Sequence, residues 1–274
     1  MVQVERYLAM LKKQLIILIA LVCLLSAGCA INPVTGENQL MLVSEAQELQ
    51  IGRQYAPEVE KQLGGRIENW QLQNYLNGVG QRIARISHMP SLEFRYTALN
   101  HDSINAMALP GGYVFITRGM LEQLSSEAQL AAILAHETTH VTCRHSAQAM
   151  STQIGIDLAL SVAGQKASRG AIDIAHIGSQ LIGLRYSREH EMEADAFGLD
   201  YMVRAGYDPA AMIEVIEMLE GQNRVRPIEF FSTHPNPANR KENVQKRMST
   251  NVYPGNLRTG DADYTEFVLQ NLNN

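Results

Sequence analysis

Cysteine is scarce in this chain, with three residues in 274, at positions 23, 29 and 143. So few thiols exclude a disulfide scaffold, and a core must rest on aliphatic packing or on a metal. A basic excess is also missing, because 23 Lys and Arg face 28 Asp and Glu for a formal charge of −5. No nucleic-acid partner is expected from such a balance. Proline is thin, with nine residues, and no internal repeat or low-complexity tract interrupts the chain. What is present is 46% apolar residues over a length that fills one large domain or two small ones.

Long hydrophobic runs are absent but for one. Leu15 to Leu25 are eleven unbroken apolar residues, preceded by Arg6, Lys12 and Lys13 and followed by Ser26, Ala27, Gly28 and Cys29. As a helix the run rises about 16 Å, at about 1.5 Å per residue, against a hydrocarbon core of about 30 Å. Residues 1–28 therefore read as a secretory signal. An uncleaved anchor would need the run extended through Ser26 and Gly28. The string Leu-Leu-Ser-Ala-Gly-Cys resembles a bacterial lipobox, with Ser26 where such strings usually carry Leu. The resemblance implies cleavage before Cys29, lipid on that cysteine and attachment to a membrane. Ala30 behind it points to the periplasmic face of the outer membrane.

Residues 29–43 read as a polar tether and 44–274 as the folded domain. Ser44-Glu-Ala-Gln47 is a capping-box signature that opens a helix toward Leu63, with Pro57 a break. A second helix, about 66 to 87, carries Ile67, Trp70, Tyr75, Val79, Ile83 and Ile86 near helical spacing. Leu92, Phe94, Tyr96 and Ala98 alternate with polar residues as in a half-buried strand, and Pro110-Gly111-Gly112 turns into a second strand over 113–117. Two antiparallel strands are the simplest arrangement. Helices are expected at about 127–149, 153–163, 172–183, 187–204, 209–220 and 237–248, with a mobile loop from Gly164 to Gly170. The fold class is α+β, mostly α.

The chemistry concentrates in His136-Glu137-Thr138-Thr139-His140, inside a helix that Ser126 and Gln129 open with another capping box. Four residues turn a helix by about 400°, so the two imidazoles project from one face and can share a cation. Glu137 lies to the side, where a carboxylate can take a proton from water. A catalytic zinc wants three protein ligands. Candidates for the third are Glu189, His190, Glu191 and Glu193. Glu191 pairs with Asp195 four residues on, beside the small residues Ala194 and Gly198 that let another helix approach. One carboxylate of such a pair can bind metal while the other orients a ligand histidine. Glu189 with Glu193 reads as a solvated face. His88, His101 and His176 are given no role, His145 is read as pointing off the metal face, and Cys143 as an inert buried thiol.

HExxH followed by ExxxD on a later helix resembles the gluzincin metallopeptidases. The longer strings resemble the family of the CAAX prenyl protease, the HtpX heat-shock protease and the assembly protease BepA. These strings are Asn105 to Gly112, Tyr113 to Gly119, His136 to His140, Ser187 to Gly198 and Ser232 to Pro235. The resemblance implies a zincin-like fold and one Zn²⁺ on His136, His140 and Glu191. It makes Glu137 the catalytic base and Asp195 the partner of a ligand. It also places His234 over the metal, either facing substrate or as a resting fourth ligand, and Arg240 beside it. Asn105, Gly112, Tyr113, Val114 and Phe115, along an open strand edge, and Arg240 would bind an extended substrate. Bottom-up, Asn236 and Pro237 also serve simply as cap and first turn of the helix after His234. The expected function is hydrolysis of misfolded or unassembled envelope proteins, in a short form without tetratricopeptide repeats. The rival is a periplasmic chaperone or assembly factor for outer-membrane proteins in which zinc mainly holds the fold.

Overall fold

The computed structural model describes residues 29–162, 183–236 and 239–272, with Tyr7 and Lys12 alone before them. In chain order its strands are β1 (Cys29–Ile31), β2 (Asn38–Leu40), β3 (Arg95–Leu99), β4 (Ala106–Leu109) and β5 (Tyr113–Thr117). Its α-helices are α1 (Glu45–Gln62), α2 (Trp70–Ile86), α3 (Arg118–Leu121), α4 (Glu127–Thr142), α5 (His145–Val162), α6 (Arg188–Arg204), α7 (Ala210–Val225), α8 (Phe230–Thr233), α9 (Arg240–Ser249) and α10 (Asp261–Phe267). The chain is thus α+β and mostly α, as expected. The signal segment, the 164–170 loop and the 172–183 helix, apart from Gly183, lie outside the described residues, Tyr7 and Lys12 excepted. Among the described residues no helix is long and apolar enough to cross a membrane.

Every residue of α4 except Gln129 is buried, which is why Ala131, Ala132 and Ala135 line it: small side chains let neighbours close in from all sides. Ser126 caps it by accepting from the Gln129 amide at 3.1 Å, but the Gln129 side chain returns to Ser125 N rather than to Ser126. The Ser44–Gln47 capping box is complete at the start of α1. α1 runs on through Pro57, contrary to expectation, because Ile51, Tyr55 and Val59 on either side of it stay buried on one face. Asn69 caps α2, and Trp70, placed on the buried stripe by spacing, is 71% exposed at its first turn.

The sheet corrects the two-strand expectation. Its order is β3-β5-β4, with β3 parallel to β5 and β4 antiparallel to it. The tight Pro110-Gly111-Gly112 turn joins β4 to β5, so β3 meets β5 only by a crossover, and a crossover makes the pair parallel. Gly111 and Gly112 have φ of +78° and +90°, and a Cβ on Gly112 would stand 2.6 Å from Glu93 O. Both faces of the sheet are covered. Val114 and Ile116 join the core against α2 and α4, while Leu99, Met107 and Phe115 join a second core with Ile51, Tyr55 and Val59 of α1. Thr97 is accordingly buried, and the half-exposed alternation expected for this strand is absent.

Residues 29–43 are docked rather than loose. β1 and β2 pair as a hairpin, Asn32 Nδ2 donates to Cys143 O at 3.4 Å, and Leu42 N donates to Ser151 Oγ at 2.8 Å. Met41 and Val43 enter the second core.

Candidate metal centre

Helices α4 and α6 make the most extensive helix pair among the described residues, and Gly198 is the reason they can. A Cβ there would lie 3.1 Å from His136 N. With α6 this close, Glu191 faces the two histidines of α4. His136 Nε2 and His140 Nε2 are 3.1 Å apart, and Glu191 reaches them with Oε2 at 3.5 Å and Oε1 at 3.4 Å. From the end of α8, His234 Nδ1 approaches Glu191 Oε1 at 3.0 Å and His136 Nε2 at 3.4 Å. One atom from each of these four residues lies within 4.8 Å of all the others.

The donor set fits a cation. His136 Nδ1 meets Asp195 Oδ1 at 3.0 Å, which places the ring proton there and leaves Nε2 with a bare lone pair. The second imidazole and a carboxylate point at the same spot. Glu191 Oε2, both Glu137 oxygens and His234 Nε2 are buried without a hydrogen-bond partner. Converging lone pairs in a dry place are costly unless a positive charge sits among them. His136, Glu137, His140, Glu191 and His234 are each 2% exposed or less.

Asp195 is gripped by Arg240, whose Nε reaches Oδ2 at 2.6 Å and whose NH2 reaches Oδ1 at 2.7 Å. Burial alone would raise the Asp195 carboxyl, but Arg240 and His136 outweigh it and hold it below the usual range. Burial likewise opposes ionisation of Glu191, yet the facing histidines, His234 first, keep it well below a normal carboxylate. Glu137 differs, since burial prevails and raises it. A raised carboxyl is a stronger proton acceptor.

Two groups of expectations are corrected here. Gly112, Tyr113, Val114 and Phe115 offer no open edge, because β5 is paired on both sides. Val114 and Phe115 are core residues and Tyr113 lies under Arg95, 5.0 Å from ring centre to guanidinium. The edges of the sheet are β3 and β4, and at β4 Tyr186 Oη donates to the Ala108 carbonyl at 3.5 Å. Asn105, just before β4, is buried with Oδ1 unpartnered and its amide donating to Thr117 Oγ1 at 3.1 Å. Arg240 is buried and its guanidinium pairs with Asp195. Asn236 does not cap α9, which Asn239 precedes; its Nδ2 donates to Glu220 at 3.1 Å.

Three residues near the donors had no signal in the sequence. Tyr186 stacks on His140 with ring centres 3.9 Å apart, and Phe230 stacks on His234 at 4.3 Å. His145, read as pointing away, has Nδ1 2.8 Å from His140 Nδ1. The α4 helix ends before it: Arg144 takes a left-handed φ of 59° and turns the chain back. Cys143 is buried, and burial raises its thiol, as expected of an inert one. His88 bonds Tyr201 and His101 bonds Ser103. His176 lies outside the described residues.

A buried HExxH helix joined by a glutamate from a second helix defines a zinc metallopeptidase of the gluzincin kind. Residues 71–248 match peptidase family M48, and the chain belongs to that family. It is similar to the beta-barrel assembly-enhancing protease of Escherichia coli (strain K12), 32% identical over 232 residues that cover 79% of this chain and 47% of that protein. It also resembles the mitochondrial metalloendopeptidase OMA1 of Schizosaccharomyces pombe, 34% identical over 63% of this chain and 52% of that protein. The metalloprotease LoiP of Escherichia coli (strain K12) is 26% identical over 53% of this chain and 59% of that protein. The chain thus spans about half the length of these relatives.

Proposed function

We propose that this protein is an exported endopeptidase with one Zn²⁺ per chain, held by His136, His140 and Glu191, that cleaves misfolded or unassembled envelope proteins. The observation that carries the reading is the unpartnered Glu137 carboxylate, buried beside three converging donors. Zinc at this position would supply Lewis acidity toward a peptide carbonyl. Glu137, its proton affinity raised by burial, takes the proton of the attacking water and passes it to the leaving amine. The free side of β4 is the segment against which an extended peptide would pair, once Tyr186 leaves Ala108 O. His234 lies among the donors, with Nδ1 3.0 Å from Glu191 Oε1 and Nε2 3.6 Å from Glu137 Oε1. That position favours its role as a resting fourth ligand over that of a substrate-facing donor.

Similarity to a protein named beta-barrel assembly-enhancing protease supports envelope proteins as substrates and the outer-membrane assembly machinery as partner. Lipid on Cys29 and a place at the periplasmic face of the outer membrane rest on the lipobox-like string. The test is hydrolysis of an unfolded β-barrel protein by the purified protein and its Glu137→Gln variant, with metal content measured in both. Cleavage that disappears while zinc stays is expected. Wild-type turnover in the variant refutes the mechanism. Lost cleavage with retained suppression of client aggregation in the wild type and variant alike shows the chaperone activity of the rival reading beside the protease.

A further inference from the structure

The two histidines of the HExxH motif are both held from behind, and by different means. Behind His136 stand Asp195 and Arg240. Behind His140 stands His145, fully buried, and behind that Glu193, whose Oε2 is 3.1 Å from His145 Nε2. Proton counting orders the chain. If His140 gives the Nε2 lone pair to a metal, its Nδ1 carries the ring proton, so it donates across the 2.8 Å contact and His145 Nδ1 accepts. A neutral His145 then has its one proton on Nε2, where the Glu193 carboxylate receives it. Every contact has one proton and no ring is charged.

We propose that His145 and Glu193 are positioning residues for the metal, fixing the tautomer and ring plane of His140 and relaying the carboxylate's charge to its donor nitrogen. This inference rests on the zinc reading above. The fold builds the device deliberately far from helical spacing. Five residues along a continuous helix turn the side chain by about 500°, away from His140. The left-handed Arg144 brings it back, and Arg144 is itself held by Glu48 Oε1 at 2.7 Å from Nε and by Val43 O at 3.1 Å from NH2. His190 stacks on the His145 ring with centres 4.3 Å apart and planes 12° from parallel, which stops the ring from turning.

Cys143, His145 and Glu193 also lie close enough to form a cation site of their own. Both nitrogens of His145 are already engaged, one accepting from His140 and one donating to Glu193, so neither is left for a second ion.

The test is zinc affinity of the full chain, measured by competition with a chromophoric chelator and therefore independent of turnover, together with the visible spectrum of the Co²⁺-loaded protein. Loss of an orienting partner typically weakens metal binding about 10–100-fold, and His145→Leu should fall in that range with a shifted Co²⁺ spectrum. His145→Asn places an amide oxygen near the former Nδ1 and should recover most of the loss. Glu193→Gln, at a partly exposed position, should show a smaller loss and serves if His145→Leu does not fold. Wild-type affinity and spectrum in these variants overturn the relay. Two zinc ions in the wild type, one of them lost in Cys143→Ser, overturn it in favour of a separate site. A wild-type chain that binds no zinc refutes the metal reading itself, a result distinct from either.

Discussion

Replacing Arg240 by leucine removes the cation from a pair in which both side chains are 4% exposed. Asp195 would keep its bond to His136 and lose two charge-assisted bonds, at 2.6 and 2.7 Å. Breaking a buried pair on one side typically costs about 3–5 kcal/mol. A ceiling comes from the carboxyl itself, which can escape by taking a proton. From an ordinary value of 3.8, that costs about 4 kcal/mol at pH 7, at about 1.36 kcal/mol per pH unit. The two figures agree, so a loss of about 3–4 kcal/mol is expected. Urea unfolding in the presence of a chelator measures it without any contribution from metal. Asp195→Asn alone strands the Arg240 cation and should destabilise. Added to Arg240→Leu, it removes the stranded carboxylate, so the double variant should be more stable than Arg240→Leu alone, an order that additive losses forbid. A loss below about 1 kcal/mol, or strict additivity, refutes the argument that this pair is a closed electrostatic unit.

Gly198→Val adds three carbons where a Cβ alone would stand 3.1 Å from His136 N. It should cost about 1–3 kcal/mol by overpacking and weaken metal binding by moving Glu191 from the histidines; calorimetric melting and a metal titration check both, and unchanged values would show that α4 and α6 have slack. Glu48 is raised from 4.5 to about 7 by burial, which outweighs the pull of Arg144. The folded carboxyl therefore binds its proton more tightly than the unfolded one, so stability is full below about 4.5 and falls as pH rises to about 7. At most about 3 kcal/mol is lost over that window. Melting temperatures of Glu48→Gln across pH 4.5 to 7.5 should lack this slope, and an unchanged slope would assign it elsewhere.

The metal donors could be read from the chain because covalent spacing along a helix sets where His136 and His140 point. Glu191 was harder, since spacing left four candidates and only the approach of α6 at Gly198 separates them in space. The sheet was misread for a physical reason. Ala106-Met-Ala-Leu109 has none of the β-branched or aromatic residues that mark a strand, yet it is one, because burial on both faces replaces propensity. Without it, β3 and β5 look like neighbours in a hairpin. His145 was missed because a left-handed arginine has no local signature. Its conformation depends on Glu48, which is 96 residues away in the chain. The pairing of Arg240 with Asp195 was not foreseen, since a sequence string carries no information on which carboxylate a guanidinium will choose.

The seclusion of the donor cluster separates how firmly an ion is held from how fast it can be traded. With no donor more than 2% exposed, and aromatic rings stacked on His140 and His234, a cation among these donors would be screened from solvent by the described residues. Departure must wait for the walls to part, a local opening whose frequency belongs to the protein. A scavenger outside, however abundant, then gains no speed from its concentration. A molecule so built would keep an ion acquired when it folded and, while closed, would stay deaf to later swings in metal supply around it.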